Sequence, residues 1–254
     1  MNVQDSRHST LQEVMEAMAV AEDGEHLAAW IDLAHRGGRG ILTRSTFATS
    51  PDGLDLDDRR RRAVPPKLPR LVTPLTVRAF GAAKYARSRP DLHRMPVWDA
   101  LFPLDRVEGW EAAYGPAGMV QYQFVSPTPD PILEAVDAIT QQPVPAFLGV
   151  LKRLGTESGG MLSFPMPGWT LAVDFPADPR LRQLFEQLDE FVVNAGGRVY
   201  LAKDGRLSQA TFAQMYPRVQ EWKSVRDELD PAGQFQSDLG RRLGLTDREG
   251  TSNA

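Results

Sequence analysis

A lysine follows a tyrosine by three residues in GGRVYLAKDGR, the stretch from Gly196 to Arg206. The pattern predicts a short strand over residues 198–202, entered through two glycines and ending just before Lys203, with Tyr200 on one of its faces. An amine placed there could stabilise negative charge that develops during a reaction. It could also be a solvated strand end or pair with an acid such as Asp204, and the residues alone leave these alternatives open.

Two glutamines in MVQYQFV, residues 119–125, form a second candidate group. The stretch alternates as a strand does, so Met119, Gln121 and Gln123 share one face and the residues between them share the other. Two amides on one face suit the polar wall of a cleft. An exposed, polar sheet face is equally consistent with the pattern.

Established catalytic and cofactor motifs are missing from the sequence. It contains no GxxxxGK[ST] loop, no GxGxxG fingerprint and no GxSxG elbow. The four histidines lack the spacing of metal ligands, and the absence of cysteine excludes disulfides, thiolate nucleophiles and cysteine–metal sites. We therefore predict no metal site.

Composition indicates a globular chain with a sizeable core. The 254 residues are 42% hydrophobic and 24% charged, enough for one large domain or two small ones. A net charge of −4 gives no case for a nucleic-acid partner. No run approaches the roughly 18 apolar residues of a membrane span, and acidic residues interrupt the N-terminal region where a signal peptide would have its core. The predicted location is cytoplasmic, or at most peripheral to the inner membrane.

Hydrophobic periodicity predicts three elements in the first part of the chain: a helix over residues 11–18, and strands over residues 26–34 and 40–46. Ser9 or Thr10 is expected to cap the helix, with Glu13 closing a capping box on Thr10. Residues 51–70 are rich in Asp, Arg and Pro and have no periodicity, which predicts a surface loop.

The remainder reads as strand, helix, strand, strand, helix, strand. These elements are a strand over 119–125, a helix from Asp130 as N-cap, a strand ending near Lys152, an extended segment over 169–175 as a second edge of the sheet, a helix ended by Gly196, and the strand 198–202. This order resembles the ferredoxin-like split βαβ arrangement. We therefore predict an α+β fold, with an antiparallel sheet covered by helices on one face.

Four blocks of the sequence carry a family resemblance: PLDRVEGWEAAYGPAGMVQYQFV, LSFPMPGWTLAVDFP, GGRVYLAKDGR and MYPRVQEWKSVRDELDPAGQFQSDLGRRL. Together they resemble the decaprenylphosphoryl-β-D-ribose 2′-oxidases, flavoenzymes of the vanillyl-alcohol-oxidase type in the aldonolactone-oxidase branch. The pattern R-x-x-L-D-P-x-G-x-F, Arg226 to Phe235, resembles the branch in general, whereas the middle blocks resemble these oxidases in particular. The similarity runs from about Leu27 to Leu245.

The resemblance covers only part of a family protein. Family members begin with an FAD-binding domain that carries a glycine-rich pyrophosphate loop, for which this sequence has no counterpart. Residues 1–196, with loop 51–70, then correspond to the substrate-binding cap domain. Residues 197–245 correspond to a helical segment that would return to the FAD domain, and residues 246–254 are expected to be a disordered tail. FAD, on a separate FAD-binding half or domain, is the implied cofactor.

Several site residues carry over from the family position by position. Lys203 matches a lysine beside the isoalloxazine and the substrate, so the resemblance implies a catalytic and FAD-binding role for it. Tyr200 matches a tyrosine that contacts FAD. Gln121 and Gln123 match cleft glutamines that face substrate and flavin. Lys152 matches a substrate-pocket lysine that would reach the phosphate of the donor.

Other matched positions are less specific. Trp30 matches a pocket tryptophan, although a large indole there is more often part of a core. Departures from the family pattern make the implied pocket more apolar. They are Thr170 and Ala172 in place of asparagine and cysteine, Leu101 or Phe102 in place of a tyrosine, and Leu154 in place of an aromatic residue. Thr170 stays a substrate-binding candidate, and the exact sugar is open.

Two functions of different classes fit the sequence. The first is the C-terminal part of an FAD-dependent oxidoreductase that oxidises the 2′ hydroxyl of a polyprenyl-phosphate pentose in the synthesis of cell-wall arabinan precursors. A short-chain reductase would then be a further partner, because a separate reduction completes the epimerisation. The alternative is a truncated, non-catalytic remnant that acts as a binding or interaction module without cofactor.

Overall fold

A computed structural model of the chain describes residues 1–20, 26–49, 62–64 and 70–246. Nearly all of the predicted loop 51–70, and the tail beyond residue 246, lie outside the described residues. Within the loop, Arg62–Ala63 form a two-residue strand that pairs in parallel with Val107–Glu108, which the loop prediction did not include.

An antiparallel sheet organises the chain. The described strands are β1 (Asn2–His8), β2 (His26–Ile31), β3 (Gly40–Thr46), β4 (Arg62–Ala63), β5 (His93–Arg94), β6 (Val107–Glu108), β7 (Met119–Ser126), β8 (Leu148–Leu154), β9 (Gly168–Pro176) and β10 (Arg198–Val199). Within the part of the chain that the structure describes, eight of them form one sheet in the order β10-β7-β9-β8-β2-β3-β1-β5. Every neighbouring pair in that sheet is antiparallel.

The described helices are α1 (Leu11–Ala19), α2 (Pro74–Ala86), α3 (Val97–Leu101), α4 (Asp130–Thr140), α5 (Arg182–Asn194), α6 (Gln209–Met215), α7 (Val219–Leu229) and α8 (Asp238–Arg242). The predicted cap of α1 is confirmed, since the Thr10 hydroxyl accepts the Glu13 amide at 3.2 Å. The Glu13 carboxylate in turn accepts the Ser9 amide at 2.8 Å. The reciprocal bond therefore goes to Ser9 and not to Thr10.

Two units with the same strand order share the sheet. The second unit, β7-α4-β8-β9-α5-β10, has the spatial order β10-β7-β9-β8 and is the predicted ferredoxin-like arrangement. The first unit, β1-α1-β2-β3 followed by β5, repeats that order as β5-β1-β3-β2. The units meet edge to edge at a seam, where Ala29–Ile31 of β2 pair with Gly149–Leu151 of β8.

Helices α1, α4 and α5 cover one face of the sheet, as predicted. The core beneath them joins helix and strand residues of both units, among them Val14, Ile132, Leu188, Ile31, Phe124 and Leu171. Burying each such side chain contributes roughly 1.5–3 kcal/mol. Because strand side chains alternate, Gln121 and Gln123 lie on the opposite face, which we call the site face.

Helix α2 packs on the site face of the first unit. Its Phe80 lies edge-on to Trp30 of β2, with 6.5 Å between ring centroids, and is 5.1 Å from the Phe147 ring. At Gly81 the helix backbone approaches the buried carboxylate of Asp32. The helix therefore covers the sheet next to the seam on the first unit's side, and β7, β9 and β8 carry the rest of the site face.

We expect Gly81→Ala to destabilise the docking of α2. The added methyl carbon would lie 2.7 Å from an oxygen of Asp32, and that carboxylate cannot easily move because Arg39 Nη2 holds it at 2.9 Å. Overpacking of this kind costs roughly 1–3 kcal/mol, which urea unfolding would measure. Gly155→Ala is the matched control, since nothing lies within 4 Å of its added carbon. Equal stability of the two variants would contradict the close contact.

Three details of the sequence prediction are wrong. Residues 169–175 are not a sheet edge, because the third strand of a ferredoxin-like unit is interior and β9 lies between β7 and β8. Asp130 is the first residue of α4, and its N-cap is Pro129. The strand predicted over 198–202 ends at Val199, because Leu201–Lys203 form a 3₁₀ turn in which the Lys203 amide donates to the Tyr200 carbonyl at 3.0 Å.

Candidate active site

The structure places five predicted residues on the site face of adjacent strands: Gln121 and Gln123 on β7, Thr170 on β9, Lys152 on β8 and Trp30 on β2. The register sets Gln121 opposite Asp174, Lys152 opposite Thr170, and Trp30 opposite Val150. The prediction that Gln121 and Gln123 share one face of their strand is therefore confirmed. Both units contribute to this group across the seam.

Lys203 reaches the same group from the 3₁₀ turn that follows β10. Its side chain is half-buried. Burial lowers the pKa of Lys203, the nearby Asp174 carboxylate opposes that shift, and the Lys152 ammonium adds to it. The amine is therefore a partly desolvated cation that interacts electrostatically with both Asp174 and Lys152 of the site face.

Asp204 is not the partner of Lys203. Its Oδ1 accepts the backbone amides of Arg206 and Leu207, each at 2.9 Å, and its Oδ2 accepts Nη2 of Arg242 at 2.8 Å. These bonds hold the chain that leaves the turn, and they engage both oxygens of the Asp204 carboxylate. The simplest structural alternative for Lys203, a pair with the next residue, is thereby removed.

Asp174 belongs to the site, and sequence reasoning missed it. The residue is 1% exposed, its Oδ1 accepts a hydrogen bond from Gln121 Nε2, and within the described residues its Oδ2 has no partner. Burial raises its pKa to about 6, against the opposing effects of the Gln121 hydrogen bond and the Lys203 charge. The available signal was strand alternation, which sets Asp174 on the same face of β9 as Thr170.

Asp174 should make stability depend on pH. Its folded-state pKa lies above the ordinary value of 3.8, so its stabilising contribution is complete below about pH 4 and is lost as pH rises through about 6. As the pH rises between those limits, we expect the free energy of unfolding of Asp174→Asn to increase relative to that of the wild type by on the order of 2–3 kcal/mol. Urea unfolding of both proteins at several pH values measures this. A constant difference would show an ordinary pKa for the carboxyl group.

Thr170 supports a glutamine and is itself buried. Its hydroxyl donates to the Phe124 carbonyl at 2.8 Å and accepts Nε2 of Gln123 at 3.1 Å. At 3% exposure it offers little surface to a ligand. The structure thus places Thr170 beneath Gln123, while Gln121 and Gln123 are each partly exposed on the site face.

Tyr200 lies beside the glutamines, and Trp30 lies under α2. The Tyr200 amide donates to the Gln123 carbonyl at 2.8 Å, and its half-exposed ring packs on Phe164 with 4.6 Å between centroids. Trp30 is 8% exposed, and Lys84 Nζ of α2 lies 5.4 Å from its ring centroid. Its indole Nε1 is buried without a partner in the part of the chain that the structure describes. Trp30 is therefore mainly a packing residue at the border of the group.

A second feature lies apart from this group, in the C-terminal segment. The pattern R-x-x-L-D-P-x-G-x-F ends α7 in a tight turn, in which the Asp230 carboxylate accepts the amides of Gln234 and Phe235 at 2.9 Å each. A groove of about 570 Å³ lies there between α7, the turn and α8. Leu229 and Phe235 at its border are 78% and 80% exposed. Large apolar side chains left this open indicate a contact surface.

Neither a metal-binding cluster nor a membrane-spanning helix is found within the described ranges. No group of three or more His, Asp or Glu side chains there is placed to hold a metal ion. None of the described helices combines the length and the apolar character needed to cross a bilayer.

Comparison with known proteins finds relatives that match most of the chain. The chain is 34% identical to a decaprenylphosphoryl-beta-D-ribose oxidase of Mycolicibacterium smegmatis, over 91% of this chain and 54% of that protein. It is 33% identical to an uncharacterized protein in the mprA 5′ region of Streptomyces coelicolor, over 87% of this chain and 66% of that protein. The chain thus spans about half to two thirds of these curated relatives.

A family model and a solved structure extend the comparison. The model for D-arabinono-1,4-lactone oxidase matches residues 171–243, from β9 through α8. A berberine bridge enzyme variant aligns over 97% of this chain and 55% of its own, with a TM-score of 0.51 and 9% identity, which is a likeness of fold. The sequence resemblance is therefore confirmed, and the chain matches the C-terminal half of a decaprenylphosphoryl-β-D-ribose oxidase.

Proposed function

We propose that this chain is the substrate-binding part of an FAD-dependent oxidoreductase that oxidises a hydroxyl of a lipid-linked sugar. The observation that carries the proposal is the cluster of Lys203, Asp174 and Gln121 on the site face, where a half-buried cation and a buried carboxylate flank a partly exposed amide. Similarity to a decaprenylphosphoryl-ribose oxidase over 91% of the chain supports the substrate class.

The residues present fit a flavin at the edge of this cluster. Bound FAD would supply the hydride acceptor for oxidation of the sugar carbon. Lys203 would hold a positive charge where the reaction places negative charge, and its partial burial strengthens that interaction because less water screens it. Tyr200, with its ring packed on Phe164, would offer a fixed aromatic surface next to it.

The remaining cluster residues would bind and orient the substrate. Lys152 is exposed at the end of β8, so its ammonium can contact the phosphate of the donor. Gln121 and Gln123 present polar groups of the amides to the sugar from β7. A lipid-linked donor also suggests that the protein works at the surface of the inner membrane, on its cytoplasmic side, with a short-chain reductase acting on the product.

The part that completes the enzyme would be an FAD-binding half or domain. A pyrophosphate group needs backbone donors of the glycine-rich kind, and the sequence has no such fingerprint. The groove between α7 and α8, with Leu229 and Phe235 exposed, is the surface that we expect this half to cover.

A visible spectrum tests the proposal. The purified chain alone should carry little flavin after gel filtration, whereas co-expression with an FAD-binding half should give a complex with about one flavin per chain. Adding a polyprenylphosphoryl ribose to that complex under anaerobic conditions should bleach the flavin absorbance. A complex that forms, binds flavin and is not reduced by any sugar phosphate would favour the non-catalytic binding module instead.

A further inference from the structure

The two site glutamines are each held by their amide nitrogen. Gln121 Nε2 donates to the Asp174 carboxylate opposite it, and Gln123 Nε2 donates to Thr170 Oγ1 at 3.1 Å. Within the described residues, neither side-chain carbonyl oxygen makes a hydrogen bond. Both side chains are partly exposed on the site face. Each Nε2 uses one of its two hydrogens in these bonds, and the carbonyl oxygens are the acceptors left for a ligand.

Chemistry forces this orientation at both positions. An ionised carboxylate can only accept hydrogen bonds, so Asp174 must take a donor, and the nitrogen is the donor end of the Gln121 amide. The Thr170 hydroxyl has a single hydrogen, which it donates to the Phe124 carbonyl at 2.8 Å, so towards Gln123 it too can only accept. A flipped amide would set two acceptors against each other at either position.

We infer that Gln121 and Gln123 form a pair of hydrogen-bond acceptors whose polarity Asp174 and Thr170 fix from below, and that this pair selects ligands with hydroxyl donors. The two residues are two positions apart on β7, so their Cα atoms are roughly 7 Å apart. Glutamine side chains anchored at that Cα spacing can each receive a hydroxyl hydrogen of one sugar ring. The inference deepens the proposed function, and its choice of a sugar as ligand rests on that function. Asp174 and Thr170 are then positioning residues, because they act on the ligand through the glutamines.

The fixed polarity predicts a particular pattern of specificity. A sugar hydroxyl can donate to a glutamine carbonyl, whereas a fluorine or a methyl ether in its place can only accept. Such analogues should therefore bind as poorly as a deoxy sugar, although both groups are polar and fluorine is close to the hydroxyl in size. A glutamine free to turn would tolerate them by presenting its NH₂ group.

The polarity can be tested on the chain alone by NMR of the side-chain amides. One Nε2 proton of each of Gln121 and Gln123 should exchange more slowly with water than the protons of an exposed glutamine, because it has a protein acceptor. Asp174→Asn should change the Gln121 signals and leave those of Gln123, and Thr170→Val should do the reverse, with Thr170→Ser restoring them. Lowering the pH through about 6 should shift only the Gln121 signals, because Asp174 is the titrating acceptor and Lys203 and Tyr114 are the charged or titratable groups that face it.

Binding of a neutral probe then tests the selection of donors. Methyl β-D-ribofuranoside should shift the two glutamine signals, and its 3-deoxy-3-fluoro analogue should bind about fivefold more weakly, the equivalent of one hydrogen bond of about 1 kcal/mol. Asp174→Asn should reduce that difference to less than twofold if Gln121 receives the hydroxyl, and Thr170→Val should do so if Gln123 receives it. Amides that exchange like those of exposed glutamines, equal affinity for the two glycosides, or no saturable shift with either would each overturn the inference. None of these outcomes depends on flavin reduction, so failure of the proposed oxidase leaves this test intact.

Discussion

Lys203→Ala is expected to lower kcat of the completed enzyme about a hundredfold, the equivalent of roughly 3 kcal/mol in the transition state. The amine is half-buried on the site face and interacts with Asp174, so its charge acts in a region of reduced screening. Asp204, the nearest acid in the sequence, is bonded to Arg242 and to two backbone amides, which leaves the Lys203 charge available to the reaction. Anaerobic reduction of the flavin in stopped flow would measure the chemical step directly.

Lys152→Ala is the matched control for the loss of a lysine from the same face. The exposed ammonium of Lys152 is proposed to contact a phosphate remote from the reacting carbon. The substitution should therefore raise KM more than it lowers kcat. The melting temperature of Lys203→Ala should change little, because the partly desolvated ammonium is not held in a salt bridge among the described residues. Normal turnover combined with a clear loss of stability would assign Lys203 a structural role.

Arg206→Ala should give the largest loss of stability, roughly 3–5 kcal/mol. Arg206 holds the Asp189 carboxylate of α5 with two bonds, of 2.7 and 2.6 Å, and Asp189 is only 8% exposed. The same carboxylate accepts the Tyr122 hydroxyl at 2.8 Å. Without the guanidinium, a buried negative charge stays behind without its partner. Urea unfolding at neutral pH would measure the change.

Two further variants separate a lost charge pair from lost packing at Arg206. Its guanidinium carbon also lies 5.0 Å from the ring centroid of Phe185, so alanine removes contact area as well. Adding Asp189→Asn to Arg206→Ala should recover part of the stability, because it removes the uncompensated charge. Arg182→Ala, which breaks the exposed pair with Glu186 on the same helix, should have no measurable effect. An equally small effect of Arg206→Ala would show that the pair is not stabilising.

Patterns in the sequence predicted the second ferredoxin-like unit and the face on which the glutamines lie, because both depend on local periodicity. The alternation of MVQYQFV fixes the side of β7 for Gln121 and Gln123 whatever the rest of the fold does. The strand β1 escaped prediction, because its residues NVQDSRH are mostly polar and it is stabilised by pairing with β3 and β5. Long-range pairing of this kind leaves no periodic signal in a single segment.

Only those parts of the site that depend on local sequence patterns could be predicted. Asp174 looks like an ordinary polar residue within LAVDFP, and its buried position depends on the register between β9 and β7, which sequence spacing does not reveal. Thr170 was predicted to touch substrate, and the structure shows a hydroxyl engaged with Phe124 and Gln123. Lys203 was assigned to the site only through the family resemblance, and the structure brings it near Asp174 and Lys152 although the strand leading to it is shorter than expected.

The seam between the two units has a consequence for the order of folding. Strand β2 pairs with β8, for example through Trp30 and Val150. Among the described strands, these two are the most distant in sequence that pair with each other. Bringing such segments together loses more chain entropy than closing the shorter loops inside each unit. During synthesis the first unit can form its own hairpins before β8 leaves the ribosome. We therefore expect the contact of β2 with β8, and with it the assembly of a ligand site from both units, to be among the last steps of folding.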